Sequence, residues 1–148
     1  MKVVVAGASG FVGAQLVREL AGGAHDVVAL SRGPIAGLPP SVAWRSADLF
    51  SARSTAEALA DADVAVYLVH SMMPSTRLFQ GDFHDTDLLL ADNFARACVA
   101  RKVRRVVYLG GLVPEGHVSR HLASRLEVGD VLRGTGLPVT EQIGRAHV

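Results

Sequence analysis

The amino-terminal stretch KVVVAGASGFVG, residues 2–13, constrains the fold more than any other part of the sequence. It begins with a short run of apolar, mostly β-branched residues, which favours a strand buried on both faces. Three glycines follow at positions 7, 10 and 13, and the apolar spacing of residues 11–22 is typical of an amphipathic helix. A strand that turns through glycines into a helix is the first half of a βαβ unit. The stretch therefore predicts a parallel sheet covered by helices.

Similar valine-rich runs recur along the chain and alternate with helical patterns. Such alternation predicts right-handed crossovers and a doubly wound parallel sheet between two layers of helices, a three-layer α/β domain of the Rossmann type. In the longest helical pattern we expect the face that includes Phe94, Cys98 and Val99 to be buried. The predicted strands span 2–7, 26–31, 42–48, 63–71 and 104–111, with a sixth starting at 137–140, and the predicted helices span 11–22, 54–60, 83–101 and 120–133.

The glycine-rich turn predicts a site for the pyrophosphate of a dinucleotide. In such turns the first glycine allows the sharp bend, the second lets the backbone approach the phosphates, and the third lets helix and strand pack closely. The start of the helix then offers free N–H groups and a partial positive charge. The alternative is a tight turn without a ligand. We expect pyrophosphate contacts from Gly7, Ser9, Gly10, Phe11, Val12 and Gly13.

The end of the second predicted strand indicates which dinucleotide is bound. Proteins that bind NAD usually place an acidic side chain there, which accepts hydrogen bonds from the ribose hydroxyls. This chain instead has Ser31, Arg32 and Gly33. A guanidinium group can bind a 2′-phosphate through two hydrogen bonds, and a serine hydroxyl adds a donor. We therefore expect Ser31 and Arg32 to favour NADP(H) over NAD(H), the alternative being that Arg32 is an ordinary exposed loop residue.

The G-x-x-G-x-x-G spacing between a strand and a helix resembles the short-chain dehydrogenase/reductase superfamily, and within it the atypical NmrA-like and NAD(P)-dependent epimerase/dehydratase-like branch. The resemblance extends over about residues 1–140. It implies that Asp48 and Leu49, after the third strand, lie against the adenine. It also implies that Val69, His70 and Ser71, at the end of the fourth strand, flank the nicotinamide ribose.

The residues that perform proton chemistry in active members of that superfamily are missing here. Those members use a tyrosine, a lysine four residues later and a serine on the fifth strand. Neither tyrosine of this chain is followed by lysine at that spacing, and the serine position holds Gly110 or Gly111. In the segment HLASR, His121 stands in the tyrosine position and Arg125 in the lysine position. Because histidine exchanges protons near neutral pH and arginine binds ribose or phosphate, we expect these two residues either to replace the missing pair or to lie on the surface without catalytic duty.

The composition excludes several other classes of function. The chain has 15 basic and 14 acidic residues and a formal net charge of +1, so it lacks the basic surface of a nucleic-acid-binding protein. No apolar run approaches the roughly 18 residues of a membrane span, and the start lacks a signal-peptide pattern, so we expect a cytoplasmic protein. The only cysteine, Cys98, excludes a disulfide within the chain and a cysteine-based metal site, and the histidine spacing does not indicate a metal site either.

The last six residues, IGRAHV, suggest an origin outside the natural gene. They are encoded by the DNA ATC GGA AGA GCA CAC GTC, which resembles a common sequencing adapter whose next codon, TGA, is a stop. We therefore expect a dinucleotide-binding domain over residues 1–142, incomplete at its carboxy terminus, and a non-native tail over residues 143–148. The alternative is a native tail that happens to have this sequence.

These features together predict an NADP(H)-binding, oxidoreductase-like protein that transfers hydride between the cofactor and a small organic carbonyl or enone. The sequence leaves the identity of that substrate and the oligomeric state open. The missing tyrosine–lysine pair favours a second hypothesis, a redox-sensing or regulatory protein that binds NADP(H) without turning it over, for which NmrA-like proteins provide a precedent. The same absence argues against a sugar-nucleotide epimerase.

Overall fold

The computed structural model of the chain describes residues 1–70, 83–111, 116 and 118–143. Within these residues it contains six strands and four helices, in the order that the sequence predicts. The strands are β1 (Lys2–Ala6), β2 (Asp26–Ser31), β3 (Ala43–Ser46), β4 (Val64–Tyr67), β5 (Arg105–Gly110) and β6 (Val139–Ile143), and the helices are α1 (Phe11–Ala21), α2 (Ala52–Ala58), α3 (Phe83–Ala100) and α4 (Arg120–Arg133).

All six strands are parallel and lie in the order β3-β2-β1-β4-β5-β6. Strands β2 and β3 therefore lie on one side of β1, and β4, β5 and β6 lie on its other side. The carboxyl ends of all the strands meet at one edge, and the direction of building reverses between β1 and β4. A crevice forms at such a reversal, and this is where ligands bind in doubly wound sheets.

Hydrophobic side chains cover both faces of the sheet, so the core has two parts. Successive residues of a strand point to opposite faces, and accordingly Val3 and Val5 belong to one buried cluster while Val4 and Ala6 belong to the other. Helix α1 packs on the first face through Val17. Helices α2, α3 and α4 all contribute to the cluster on the second face. The predicted three-layer α/β architecture is confirmed.

Helix α3 buries a narrower face than its sequence pattern predicts. Phe94 and Cys98 are fully buried, as expected, but Val99 is 47% exposed. Consecutive residues of a helix are about 100° apart around its axis, because one turn takes 3.6 residues. Val99 therefore lies beyond the edge of the stripe that contains Cys98, and the expectation that it is buried was wrong.

No helix among the residues that the structure describes is long and apolar enough to cross a membrane. Strand β6 extends to Ile143, which pairs with Gly110 of β5, so it reaches one residue into the segment that we expect to be a non-native tail. Residues 144–148 lie outside the described residues. The origin of the tail and the cytoplasmic location stay predictions.

Candidate functional site

Two of the three glycines in the turn between β1 and α1 are required by the packing of the protein itself. Gly7 has a φ of +85°, a conformation that side chains disfavour, and an added Cβ would lie 2.9 Å from the backbone of Leu68. A Cβ added to Gly13 would overlap the carbonyl oxygen of Gly7 and lie 2.8 Å from the Cα of Ala8. These two glycines therefore let β1, the segment after β4 and α1 approach one another.

Gly10 differs, because no contact with the described residues requires it to lack a side chain. Its φ of −75° is ordinary, and an added Cβ would only touch the carbonyl oxygen of Gly7 at 3.4 Å. Gly10 is also the N-cap of α1 and makes no side-chain cap, whereas Ser51 caps α2 and Ser119 caps α4. The turn thus leaves the first N–H groups of α1 without a capping side chain and with space in front of them, an arrangement that fits a pyrophosphate.

A cavity of about 190 Å³ opens at the carboxyl ends of β1, β2, β3 and β4. Pockets that enclose a whole drug-sized ligand measure roughly 300–1,000 Å³, so this cavity has room for one end of a dinucleotide. Its walls are apolar with a few polar groups, as is usual for a small-molecule site. The lining residues are Ala6, Gly7 and Ser9, residues 30–32, residues 47–50, Val69 and His70, and Thr86 and Leu90 of α3.

The wall of the cavity after β2 consists of Ser31 and Arg32. The Ser31 hydroxyl donates a hydrogen bond to the carbonyl oxygen of Gly33 at 2.5 Å, and it accepts one from Nε1 of Trp44 at 2.8 Å. Its proton is therefore directed to the backbone and away from a ligand. Arg32 is exposed at the mouth of the cavity, so the guanidinium group rather than the hydroxyl is the group at this wall that fits a phosphate.

The wall after β3 is a short loop fixed from two sides. Within it, the Asp48 carboxylate accepts a hydrogen bond from the N–H of Phe50 at 3.0 Å. From α3, the amide of Asn93 donates to the carbonyl oxygens of Leu49 at 2.8 Å and Phe50 at 3.2 Å. These bonds hold the apolar side of the loop beside the cavity, where a flat base can pack against it.

The wall after β4 contains Val69 and the partly buried His70. Burial lowers the pKa of the His70 imidazole, the Arg125 guanidinium lowers it further, and the Asp87 carboxylate opposes the shift. His70 is therefore neutral at pH 7, with one nitrogen that donates and one that accepts. Ser71, the next residue that we predicted, lies outside the described residues.

Side chains from α4 and β6 fill the space at the end of β5, where the short-chain dehydrogenase/reductase superfamily has its serine. A Cβ added to Gly110 would overlap the Glu141 carboxylate, and one added to Gly111 would lie 2.6 Å from Leu122 and 3.6 Å from Cδ of Arg125. A serine at either position would therefore require these side chains to move. Leu122 is the side chain nearest to Gly111, and Arg125 lies beside it. His121 is the second residue of α4, and its side chain lies outside the described part of the chain.

Two buried hydroxyl groups hold α4 in this position. The Ser124 hydroxyl donates to the Asp87 carboxylate of α3 at 3.0 Å, and the Tyr108 hydroxyl donates to the backbone carbonyl of Arg125 at 2.8 Å. Burial raises the pKa of Tyr108 to about 12 and raises the pKa of Tyr67 as well. Both tyrosine hydroxyl groups therefore stay protonated near neutral pH.

The structure brings residues from four predicted segments to one place. Those that line the cavity are Gly7, Ser9, Ser31, Arg32, Asp48, Leu49, Val69 and His70. Gly10, Phe11, Val12 and Gly13 continue from the cavity into α1, with Phe11 and Val12 exposed. Arg125 acts electrostatically on His70 but lies outside the cavity lining.

Other lining residues escaped the sequence analysis. Phe50 directly follows the Asp48–Leu49 pair, so its position along the chain could have indicated it. Thr86 and Leu90 line the cavity from α3, and no local pattern points to them. Trp44 and Asn93 support the walls from behind through hydrogen bonds, which only the packing of β3 and α3 reveals.

Comparison with known proteins shows which family and fold this chain resembles. The model of the NAD dependent epimerase/dehydratase family matches residues 3–125. The auxiliary protein GraX of Staphylococcus aureus (strain NCTC 8325 / PS 47) is 30% identical over 112 residues, which are 74% of this chain and 36% of GraX.

Two solved structures have a similar fold. A nucleoside-diphosphate-sugar epimerase from Staphylococcus aureus superposes with a TM-score of 0.79 and 16% identity, over 97% of this chain and 50% of its own. The triphenylmethane reductase of Citrobacter sp., solved in complex with NADP(H), gives a TM-score of 0.78 and 19% identity, over 95% of this chain and 48% of its own. The chain spans about half the length of these two proteins and about a third of GraX.

Proposed function

The chain belongs to the NAD dependent epimerase/dehydratase family, as its glycine pattern indicates, and we propose that it binds NADP(H) and acts as an oxidoreductase on a small organic carbonyl or enone. The observation that carries this proposal is the convergence of Gly7 and Ser9, residues 31–32, residues 48–49 and residues 69–70 on one cavity at the carboxyl edge of the sheet. These segments come from the ends of four strands, and the sequence predicted that all of them lie around a dinucleotide.

In this proposal the glycine turn and the start of α1 hold the pyrophosphate, because Gly10 leaves that space open. The adenine packs against Leu49 and is flanked by Asp48, and Arg32 binds the 2′-phosphate. The family name specifies NAD, whereas the triphenylmethane reductase was solved with NADP(H), so the relatives support a nicotinamide dinucleotide in general. The preference for NADP(H) rests on Arg32 of this chain.

The bound nicotinamide would supply the hydride, and the protein would handle charge and protons on the substrate. A carbonyl oxygen gains negative charge when it is reduced, and the Arg125 cation beside the end of β5 would stabilise that charge. His121, on the same helix, is the proposed proton donor, because imidazole exchanges protons near neutral pH. His70, neutral at pH 7, would form the wall beside the nicotinamide ribose.

The test of cofactor choice compares the dissociation constants of NADPH and NADH for the wild type and for Arg32→Ala. Loss of a hydrogen bond to a charged group costs about 1.5–3 kcal/mol, so we expect NADPH to bind roughly 10- to 150-fold more weakly while NADH is unchanged. Arg18→Ala, which removes the same charge from an exposed site in the last turn of α1, is the control. Equal affinities for NADPH and NADH in both the wild type and Arg32→Ala would refute the assignment.

The test of enzymatic activity follows NADPH oxidation with a panel of small carbonyls and enones. Turnover that falls in His121→Gln and Arg125→Ala supports the oxidoreductase. Tight binding of NADPH without turnover of any compound contradicts it.

A second function, a protein that senses NADP(H) without turning it over, is favoured by one specific observation. The position of the superfamily's serine holds glycine and is covered by Glu141, Leu122 and Arg125. Such a protein needs the cofactor cavity but not a proton donor. NADPH binding that raises the melting temperature, with no oxidation of NADPH by any compound of the panel, is the result expected for a sensor.

A further inference from the structure

Three consecutive carbonyl groups of the backbone turn that carries Arg32 accept hydrogen bonds, two from the neighbouring segment 46–47 and one from within the turn. The carbonyl of Ser31 accepts a hydrogen bond from the N–H of Ala47 at 3.0 Å. The carbonyl of Arg32 accepts one from the hydroxyl of Ser46 at 3.2 Å, and the carbonyl of Gly33 accepts one from the hydroxyl of Ser31. The turn between β2 and the following loop therefore has little freedom to change its direction.

Trp44 completes this arrangement. Its Nε1 donates to the Ser31 hydroxyl at 2.8 Å, which orients that hydroxyl toward Gly33. Trp44 and Ser46 stand two residues apart on β3, so their side chains leave the same face of the strand. Arg45, on the opposite face, instead donates to the carbonyls of Ala58 and Ala60. Side chains on one face of the edge strand β3 thus form hydrogen bonds with the turn, and Arg45 on the other face forms them with the end of α2.

The Arg32 side chain itself has no hydrogen bond or ion pair with the described residues. A flexible, unpaired arginine loses much conformational entropy when it binds a phosphate. A backbone that already points the side chain at the mouth of the cavity reduces that loss. Hydrogen bonds therefore fix the turn up to Arg32, whose side chain has no partner among the described residues.

We propose that Trp44 and Ser46 are positioning residues that hold the Arg32 turn ready for a 2′-phosphate, and that they thereby set the preference for NADP(H) over NAD(H). This inference rests on the proposed cofactor function and extends it to two residues of the neighbouring strand. Trp44 acts on the phosphate through Ser31 and the turn, and Ser46 acts through the Arg32 carbonyl.

The first test measures the dissociation constants of NADPH and NADH for Trp44→Phe and Ser46→Ala. Trp44→Phe removes the indole N–H and keeps an aromatic ring, and Ser46→Ala removes one hydroxyl. We expect NADPH to bind roughly 2- to 10-fold more weakly in each, as for the loss of one ordinary hydrogen bond, and NADH to bind as in the wild type. Arg45→Gln is the matched control, because it weakens the other face of β3 and should lower stability without changing the NADPH-to-NADH ratio.

Combination with Arg32→Ala distinguishes this inference from the function on which it rests. If Trp44 acts through Arg32, Trp44→Phe should no longer affect NADPH affinity in the Arg32→Ala background. An unchanged cofactor ratio in Arg32→Ala would overturn the proposed preference itself. A changed ratio in Arg32→Ala, together with wild-type ratios in both Trp44→Phe and Ser46→Ala, would overturn only the positioning role.

Fluorescence gives a second readout, since Trp44 is the only tryptophan of the chain. Adenosine 2′,5′-bisphosphate carries the 2′-phosphate and AMP does not, and neither absorbs at the emission wavelength of tryptophan. We expect the bisphosphate to change the emission of Trp44 in a way that AMP does not, and the difference to disappear in Arg32→Ala. Identical responses to the two saturating nucleotides would contradict the coupling of Trp44 to the phosphate site.

Discussion

Replacement of Gly10 by serine should separate ligand binding from folding in the glycine turn. Gly10 has the extended conformation of an N-cap residue, with a φ of −75° and a ψ of 171°. Serine is a favoured N-cap residue, and exchange between serine and glycine there changes stability by only a few tenths of a kcal/mol. We therefore expect Gly10→Ser to have a free energy of unfolding within about 0.5 kcal/mol of the wild type.

The same substitution should weaken cofactor binding strongly. The serine hydroxyl would accept a hydrogen bond from one of the first N–H groups of α1, a donor that the pyrophosphate needs, and its Cβ would fill the space that Gly10 leaves open. Loss of one hydrogen bond to a charged group costs about 1.5–3 kcal/mol. The dissociation constant of NADPH should therefore rise roughly 10- to 150-fold.

Gly13→Ala is the matched control, because it should disturb the packing of the protein rather than the space for the ligand. Its Cβ would overlap the Gly7 carbonyl oxygen and approach the Cα of Ala8 to 2.8 Å. Overpacking of this kind costs about 1–3 kcal/mol, which lowers the melting temperature of a domain of this size by roughly 2–12 °C. Gly13→Ala should therefore lose stability even without cofactor, which Gly10→Ser should not.

Urea denaturation without cofactor and isothermal titration with NADPH provide the two measurements. The reasoning would be refuted if Gly10→Ser bound NADPH as tightly as the wild type. It would also be refuted if Gly10→Ser lost as much stability as Gly13→Ala, because the second glycine would then serve the packing of the protein rather than the ligand.

Three further predictions concern pH, the cavity wall and the core. Folding lowers the pKa of His70 below its usual value of about 6.5, so the unfolded state binds the extra proton. As the pH decreases below 6.5, this group should lower the free energy of unfolding by up to about 1.4 kcal/mol per pH unit. Urea denaturation between pH 7 and pH 5 should show a smaller pH dependence for His70→Gln than for the wild type. An equal pH dependence in the two proteins would contradict this prediction. Asn93→Ala removes two hydrogen bonds to the loop after β3, so it should lower the free energy of unfolding by about 1–3 kcal/mol and weaken NADPH binding. Thermal shift with and without NADPH measures both effects. The control Asp92→Ala, on the exposed side of α3, should change stability and binding only slightly. Burial raises the pKa of the Cys98 thiol to about 12, so 5,5′-dithiobis(2-nitrobenzoate) at pH 8 should react slowly with the folded protein and quickly in denaturant; rapid reaction of the folded protein would contradict the packing of α3.

Local patterns predicted the fold well, because each strand and helix is recognisable within its own segment. The bounds predicted for β2 and α4 agree with the structure, since both are flanked by residues that stop the pattern. Strand β3 is shorter than the predicted strand 42–48, and Ala47, inside that prediction, belongs to the loop that lines the cavity. Val99 was placed on the buried face wrongly, because an apolar residue at the margin of a helical stripe has no local signal of its exposure.

The sequence predicted the site residues that follow strands, but not the residues that support the site from neighbouring elements. Arg32, Asp48 and His70 each follow a strand, and parallel strands bring their carboxyl ends together. Trp44 and Asn93 reach the site only because β3 and α3 pack beside it. Their hydrogen bonds depend on distances between segments that are far apart in the chain, and no spacing in the sequence encodes those distances.

The sequence by itself determined the order of strands and helices and the presence of a glycine turn between β1 and α1, because these follow from side-chain periodicity and backbone freedom within a few residues. The glycine pattern predicted a different role for each of Gly7, Gly10 and Gly13, but it did not identify the atoms that each glycine faces. The tertiary structure showed that Gly7 makes room for Leu68 after β4 and Gly13 for the turn itself, whereas a Cβ added to Gly10 would meet only the Gly7 carbonyl oxygen at 3.4 Å. The physical reason is that steric exclusion depends on which atoms lie across the gap, and those atoms come from other segments of the folded chain.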